Sequence, residues 1–304
     1  MTNKEKRQYR IRNWSDYNKA LVSRGSLTLW IDTRAINTWL DSERAQRRGR
    51  RRIYTDAAIV CALLMREVYH LPLRSTQGLV SSVLSLMQIT FPVPHYSTLS
   101  RRARSLELTL PAPRHIRHLV IDSSGLKLYG EGEWKVRTHG ADKRRTWRKL
   151  HLAMDASTHQ LISALITDKD ELDRRALPGL LTGVETKIEY VCADGAYDFE
   201  CCYRAIKKCG AAPLIPPRSD AVVRGRNPFE QRDENLRRIK KRGRAKWKKE
   251  SGYHKRSLVE CAFFRLKTIF SDKLKSRTPE RQKIEAELRC HALNRMTALG
   301  MPES

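Results

Sequence analysis

The chain has 304 residues, 40% hydrophobic and 31% charged, which suits a folded protein with one large domain or two ordinary ones and excludes a disordered chain. Sixty Lys+Arg against thirty-three Asp+Glu leave a formal net charge of +27. A folded protein that basic repels itself unless a polyanion neutralises it. Nucleic acid is the commonest such partner, with a ribosome-like structural role or an acidic membrane surface as alternatives.

The longest apolar run, residues 57–65, is roughly half of a membrane span, so no membrane partner is expected. The first residues lack the apolar stretch of a signal peptide. The seven cysteines include no Cys-x-x-Cys pair, so reduced thiols and a cytoplasmic location are expected. His115-x-x-His118 is at most half a zinc site, because nearby ligands are missing.

Residues 1–113 read as a mostly helical, DNA-binding domain. Five arginines surround Gly49, including Arg50, Arg51 and Arg52, and form either an arm along DNA phosphates or a solvated loop. Thr55 caps a helix entering the apolar run, and a second helix follows Pro72 with a broad apolar face. After Pro92 and Pro94 comes His95-Tyr96-Ser97-Thr98-Leu99-Ser100-Arg101-Arg102-Ala103-Arg104. This resembles the second helix of a helix-turn-helix, with Tyr96 and Ser97 placed for bases and Arg101, Arg102 and Arg104 for phosphates. An ordinary helical hairpin with a basic face is the alternative.

Residues 114–304 change to strand patterning. Leu119-Val120-Ile121 ends on Asp122, alternation marks two further strands around 150–154 and 161–166, and Ile188 to Ala193 ends on Asp194. Helices are expected around 170–181 and 198–209, with Asp198 as a helix cap, and a short fifth strand at 213–215. A three-strand meander followed by α/β alternation predicts a ribonuclease-H-like core, a mixed five-stranded sheet with flanking helices. Residues 216–252 carry thirteen Lys/Arg between Arg218 and Lys249 and read as a basic, DNA-contacting loop or partly helical insertion.

Asp122 and Asp194 both close apolar runs and precede small residues, which let a phosphate backbone approach. A third carboxylate is expected from a helix over 253–270. There Tyr253, Arg256, Glu260 and Lys267 fall at offsets 0, 3, 7 and 14, a stripe about 60° wide at about 100° per residue. The apolar neighbours Val259, Ala262, Phe263, Phe264 and Leu266 suit a buried helix whose charged stripe lines a cleft, rather than a row of surface ion pairs. Converging carboxylates suit two Mg2+ or Mn2+ ions, which activate an attacking oxygen and stabilise a leaving one in phosphodiester chemistry. Asp155 suits a turn.

The spacing Tyr253-x2-Arg256-x3-Glu260-x6-Lys267 matches the signature of bacterial insertion-sequence transposases. With the blocks Ile121-Asp122-Ser123-Ser124-Gly125 and Ala193-Asp194-Gly195-Ala196-Tyr197-Asp198, and the segments 130–137 and 213–218, the chain resembles the fifth insertion-sequence family, its nine-hundred-and-three group, from about Trp14 to Met301. The resemblance implies a DDE transposase that binds terminal inverted repeats and carries out cleavage and strand transfer into target DNA. Asp122, Asp194 and Glu260 would be the metal ligands, and Tyr253, Arg256 and Lys267 would contact DNA. Two element ends have to be joined in one event, so a homodimer or higher oligomer is expected in the DNA complex. A ribonuclease-H-like nuclease that cuts without joining, or a helix-turn-helix regulator, are the rival readings.

Overall fold

The computed structural model describes residues 10–31, 33–41, 53–128 and 147–303. At its centre is a mixed sheet in the order β3-β2-β1-β4-β5, with β6 pairing the far end of β1. The strands are β1 (His115–Leu128), β2 (Trp147–Asp155), β3 (Leu161–Asp168), β4 (Lys187–Cys192), β5 (Ala212–Leu214) and β6 (Lys273–Leu274). β1, β2 and β3 form the antiparallel meander, while β4 and β5 join β1 in parallel. β6 adds a sixth strand to the five expected; at two residues it is too short to leave an alternating pattern. Asp122 does not end its strand, because Ser123 to Lys127 continue pairing with β2.

Side chains alternate along a strand, so β1 feeds two separate apolar layers. Leu119 and Ile121 pack with α7 (Asp173–Leu181) and α8 (Glu200–Lys208). Val120 and Leu126 pack on the opposite face with α11 (Ser257–Phe270) and α12 (Pro279–Ala298). The result is a three-layer α/β fold compatible with a ribonuclease-H-like core.

The N-terminal segment is helical: α1 (Trp14–Ser23), α2 (Leu27–Trp30), α3 (Thr33–Asn37), α4 (Asp56–Val68), α5 (Leu73–Leu86) and α6 (Tyr96–Arg102). As the sequence implies, Thr55 caps α4, its Oγ1 accepting from the Ala58 N–H at 3.2 Å, and α5 starts directly after Pro72. A linker of nine residues, 87–95, separates α5 from α6. A helix-turn-helix uses about three to four residues there. Phe91-Pro92-Val93-Pro94 cannot continue a helix, and the extended chain is pinned where the Pro92 and Val93 carbonyls accept from Trp39 Nε1 and the Tyr54 hydroxyl.

The apolar core does not stop at residue 113. Ile59, Leu63 and Leu64 of α4 belong to the same cluster as Leu266 of α11 and Leu288 and Leu293 of α12. Thirteen of the twenty residues of α12 are buried, so it is a central helix with partners on several sides. Arg289 secures this seam, donating to Glu67 of α4 at 3.1 Å, to Glu285 at 2.5 Å and to the Lys273 carbonyl at 2.9 Å. At the two ends of the described chain, the Arg12 N–H donates to the Glu303 carbonyl at 2.8 Å and the Asn13 amide to the Met301 carbonyl at 2.9 Å.

The basic segment 216–252 is a packed element rather than a loop. It contains α9 (Glu230–Arg242) and α10 (Arg244–Glu250), and buries Phe229, Leu236 and Trp247. Among the described residues no helix is long and apolar enough to cross a membrane. Among the described residues no two cysteines are joined in a disulfide.

Candidate functional site

Parallel register brings the two aspartates side by side. Val120 pairs with Cys192, and two residues further along each chain stand Asp122 and Asp194. Asp122 is an even position of β1, on the Val120/Leu126 face that α11 covers, so its carboxylate meets that helix. Asp194 opens a 3-10 turn, Gly195–Tyr197, with its Oδ1 accepting from the Ala196 N–H at 2.9 Å. Burial pushes the Asp122 carboxyl above the usual range, and the charge of Asp194 adds to this; the Ser123 N–H and Arg256 oppose it.

The segment expected as one helix over 253–270 begins instead with a 3-10 turn, Tyr253–Arg256, before α11. Gly252 sets that turn at φ 72°, a left-handed conformation, and a Cβ there would crowd His118 Nε2 at 3.3 Å. The stripe survives the change of helix type. Arg256 donates to Asp122 Oδ2 at 2.9 Å and also to Glu260, so one guanidinium joins two carboxylates. Burial alone would lower Arg256, but Asp122, then Tyr253 and Glu260, hold it above its ordinary value. Lys267 donates to Ser124 Oγ at 2.6 Å, two positions beyond Asp122 on the same face. Tyr253 is buried with its ring 5.6 Å from that of Trp247 in α10, and Lys248 lies over it at 5.4 Å. The basic hairpin thus packs against the start of the stripe.

Two carboxylates at one level, one raising the pKa of the other, are the oxygen donors a hard divalent cation takes. Among the described residues no three His, Cys, Asp or Glu side chains form a ready metal cage. Glu260, its side chain 55% exposed against 19% for Asp122, is turned to the arginine they share. His115 pairs with Glu189 at 2.9 Å and His118 stacks on Tyr190, and among the described residues the half zinc site gains no set of three ligands.

Of three further residues near the aspartates, the sequence assigns no role to Ser124 and Tyr197 and the wrong one to Asp198. Ser124 receives Lys267. The Tyr197 hydroxyl is buried without a partner, and burial first, then Asp173, Asp122 and Asp194, push it well above the usual tyrosine range. Asp198 is not a helix cap; Phe199 occupies that position. Its buried carboxylate accepts from Arg232 Nε at 2.7 Å, the Tyr203 hydroxyl at 2.8 Å and the Arg218 N–H at 3.0 Å. It therefore ties α9 and the loop after β5 to the turn that carries Asp194. Gly195, Pro216, Pro217, Arg218 and Arg244 line an open groove of about 790 Å³ beside that turn.

The N-terminal candidates do not form one surface. Arg101 and Arg104 are exposed, Ser97 pairs with His95, and the Tyr96 ring lies under Arg74 at 4.9 Å. Arg102 is inward, donating to the Tyr54 carbonyl at 2.8 Å and to Asp56. Arg102→Ala is therefore expected to lower stability by about 1–3 kcal/mol, as for a lost charged hydrogen bond, seen as a lower urea midpoint. An unchanged midpoint would return Arg102 to the DNA-contacting set. Arg50, Arg51, Arg52 and the segment 130–137 lie outside the described residues.

Two family models match the chain. A model described as Transposase DDE domain matches residues 113–295, and a second of the same description matches residues 22–131. The first spans the sheet, both aspartates, the basic hairpin and the Arg256–Glu260 stripe; the second crosses from the N-terminal helices into β1. The chain belongs to the DDE transposases, enzymes of DNA cleavage and strand transfer.

Proposed function

We propose that this transposase binds the terminal inverted repeats of an insertion sequence of the fifth family, nine-hundred-and-three group, and cuts and joins DNA at a centre made by Asp122, Asp194 and Glu260. The observation that carries the reading is the in-register pair of aspartates with Arg256 joining Asp122 to Glu260. Asp122 and Asp194 would hold Mg2+ or Mn2+, with Glu260 as the third ligand once it exchanges Arg256 for the ions. When bound, two such ions activate the attacking oxygen and stabilise the leaving one. Arg256, Lys267 and the groove arginines Arg218 and Arg244 would hold the phosphates, and Tyr253 acts from below by packing the hairpin. The N-terminal segment, residues 1–113, would read the repeat, with Arg101 and Arg104 exposed on it, and two protomers would meet on paired ends.

The test is a supercoiled plasmid carrying the inverted repeats that flank the gene, incubated with protein and Mg2+. Nicks at the repeat ends and joined products support the reading. Nicks without joining leave a nuclease, and binding without nicking leaves a regulator.

Binding should also depend steeply on salt. If six or more phosphates are neutralised, log K falls against log salt with a slope of about −5 or steeper. A flat filter-binding titration would remove the electrostatic role given to the basic segments.

A further inference from the structure

The seam between the N-terminal helices and the core holds a cavity of about 270 Å³ that shares no residue with the cleft at Asp122. Leu63 of α4, Leu73 of α5, Leu99 of α6 and Ala103 at its C-terminal cap, and Ile284 and Leu288 of α12 supply its apolar lining. Arg66, Lys275, Arg277 and Arg281 supply most of the rest. Its size falls just under the roughly 300–1,000 Å³ of pockets for drug-sized ligands, and equals about nine water volumes. A single flat ring system fits; a duplex does not.

Its cations are poorly balanced. Glu285 is the carboxylate among the lining residues, and its two oxygens already accept from the Lys275 N–H, the Ser276 N–H and Arg289. Arg66 is matched by Glu67 at 3.0 Å and Lys275 Nζ donates to the His70 carbonyl at 3.4 Å, but the Nε atoms of Arg66 and Arg281 are buried without a partner. Burial, and then the positive charge of Arg104, hold the Arg281 guanidinium below its ordinary value, opposed by the exposed Glu280. Arg277 and Lys275 stand exposed at the same place. Like charges crowded beside an apolar hollow lack a ligand that is anionic at one end and flat and apolar at the other. In a transposase the molecule with that chemistry is a nucleotide of the bound DNA.

We propose that this cavity is a nucleotide subsite, seating one unstacked base of the DNA on the apolar lining and its flanking phosphates on Arg281, Arg277 and Lys275. The proposal rests on DNA being the substrate, and assigns the α12-facing side of α6 to a base outside the duplex. A position that unpairs easily would be favoured there, since extruding a base from a stack is least costly where pairing is weak.

The full chain would be mixed with flanking-repeat DNA carrying 2-aminopurine at successive positions. No aromatic side chain lines the cavity, so a base seated in it escapes the quenching that stacking causes. Severalfold brightening is expected at one position or two neighbours. Ala103→Leu, which fills the cavity from the end of α6, should abolish that brightening. Arg277→Gln with Arg281→Gln should weaken binding about tenfold and make the salt slope shallower by about one per lost phosphate contact. Melting temperatures near that of the wild type establish that the variants fold. Absence of brightening at every position overturns the proposal, as does brightening that persists in Ala103→Leu, or unchanged affinity in the double arginine variant. Nicking by the wild type in the same mixtures keeps the two readings apart: nicking without brightening removes the subsite alone, whereas no binding and no nicking removes the DNA reading beneath it.

Discussion

Asp122→Asn, Asp194→Asn and Glu260→Gln are each expected to leave binding to repeat DNA intact while nicking falls by about a thousandfold or more. Each change keeps the shape of the side chain and removes a negative oxygen that a divalent cation needs. Losing an ion removes several kcal/mol of transition-state stabilisation, and each 1.36 kcal/mol is about tenfold in rate. Affinity should hold or rise slightly, because a carboxylate repels phosphate. The three variants should also be alike, since they remove members of one unit. Asp155→Asn is the control: that carboxylate accepts from Ser157 and Thr158 in the turn after β2 and touches no member of the triad. Loss of nicking in Asp155→Asn with activity retained in Asp194→Asn would move the second ligand to the neighbouring strand.

Asp198→Asn should act through a different route, on the fold before the chemistry. Asp198 and Arg232 have side chains 1% and 5% exposed, and removing the charge of Asp198 leaves the buried guanidinium only its longer carboxylate contact, to Asp233 at 3.4 Å. Breaking such a pair costs about 3–5 kcal/mol, which in a chain of this size lowers the melting temperature by on the order of 10 °C. The hairpin of α9 and α10, with Trp247 packed on Tyr253, should loosen first, so nicking falls along with melting temperature. Adding Arg232→Met to Asp198→Asn should recover part of the stability, because it removes the buried cation along with its main partner, while Asp233, which loses Arg232, keeps the Arg224 and Gly225 N–H groups. Burial alone would raise the Asp198 carboxyl, but its hydrogen bonds from Arg232, Arg218 and Tyr203 hold it below the ordinary value. A depressed carboxyl stabilises the fold fully above its unfolded value, about 3.9, and loses that contribution only as pH falls below it toward the folded value. Melting curves of wild type and Asp198→Asn should thus differ throughout the neutral range and converge in strong acid. A variant that melts like the wild type at pH 7 would show that the pair carries no such weight.

These two cases mark what the sequence could and could not reveal. Asp122 and Asp194 are legible because apolar strand runs lead into them, and the Arg256–Glu260–Lys267 stripe because helical spacing is arithmetic. Asp198 was misread because the local pattern, an acidic residue shortly before a helix, is that of a cap; its partner Arg232 lies thirty-four positions away, at a distance no periodicity covers. The basic hairpin hid its packing for a related reason. Thirteen cations over thirty-two positions swamp the signal of Phe229, Leu236 and Trp247, yet those few residues suffice to anchor it. Gly252 and β6 left no pattern at all, the first being a single backbone conformation and the second two residues long.

The burial of α12 bears on how the chain is made. This helix is the last of the described elements to leave the ribosome, yet Leu63 and Glu67 of α4, synthesised some two hundred residues earlier, depend on Leu288 and Arg289 for their surroundings. Through most of translation the N-terminal helices therefore carry an unfinished apolar face, open to chaperones and proteases. A chain cut short before residue 279 would lack the partners of Leu63 and Glu67, and is expected to be degraded by a dilute protease that leaves the full chain intact.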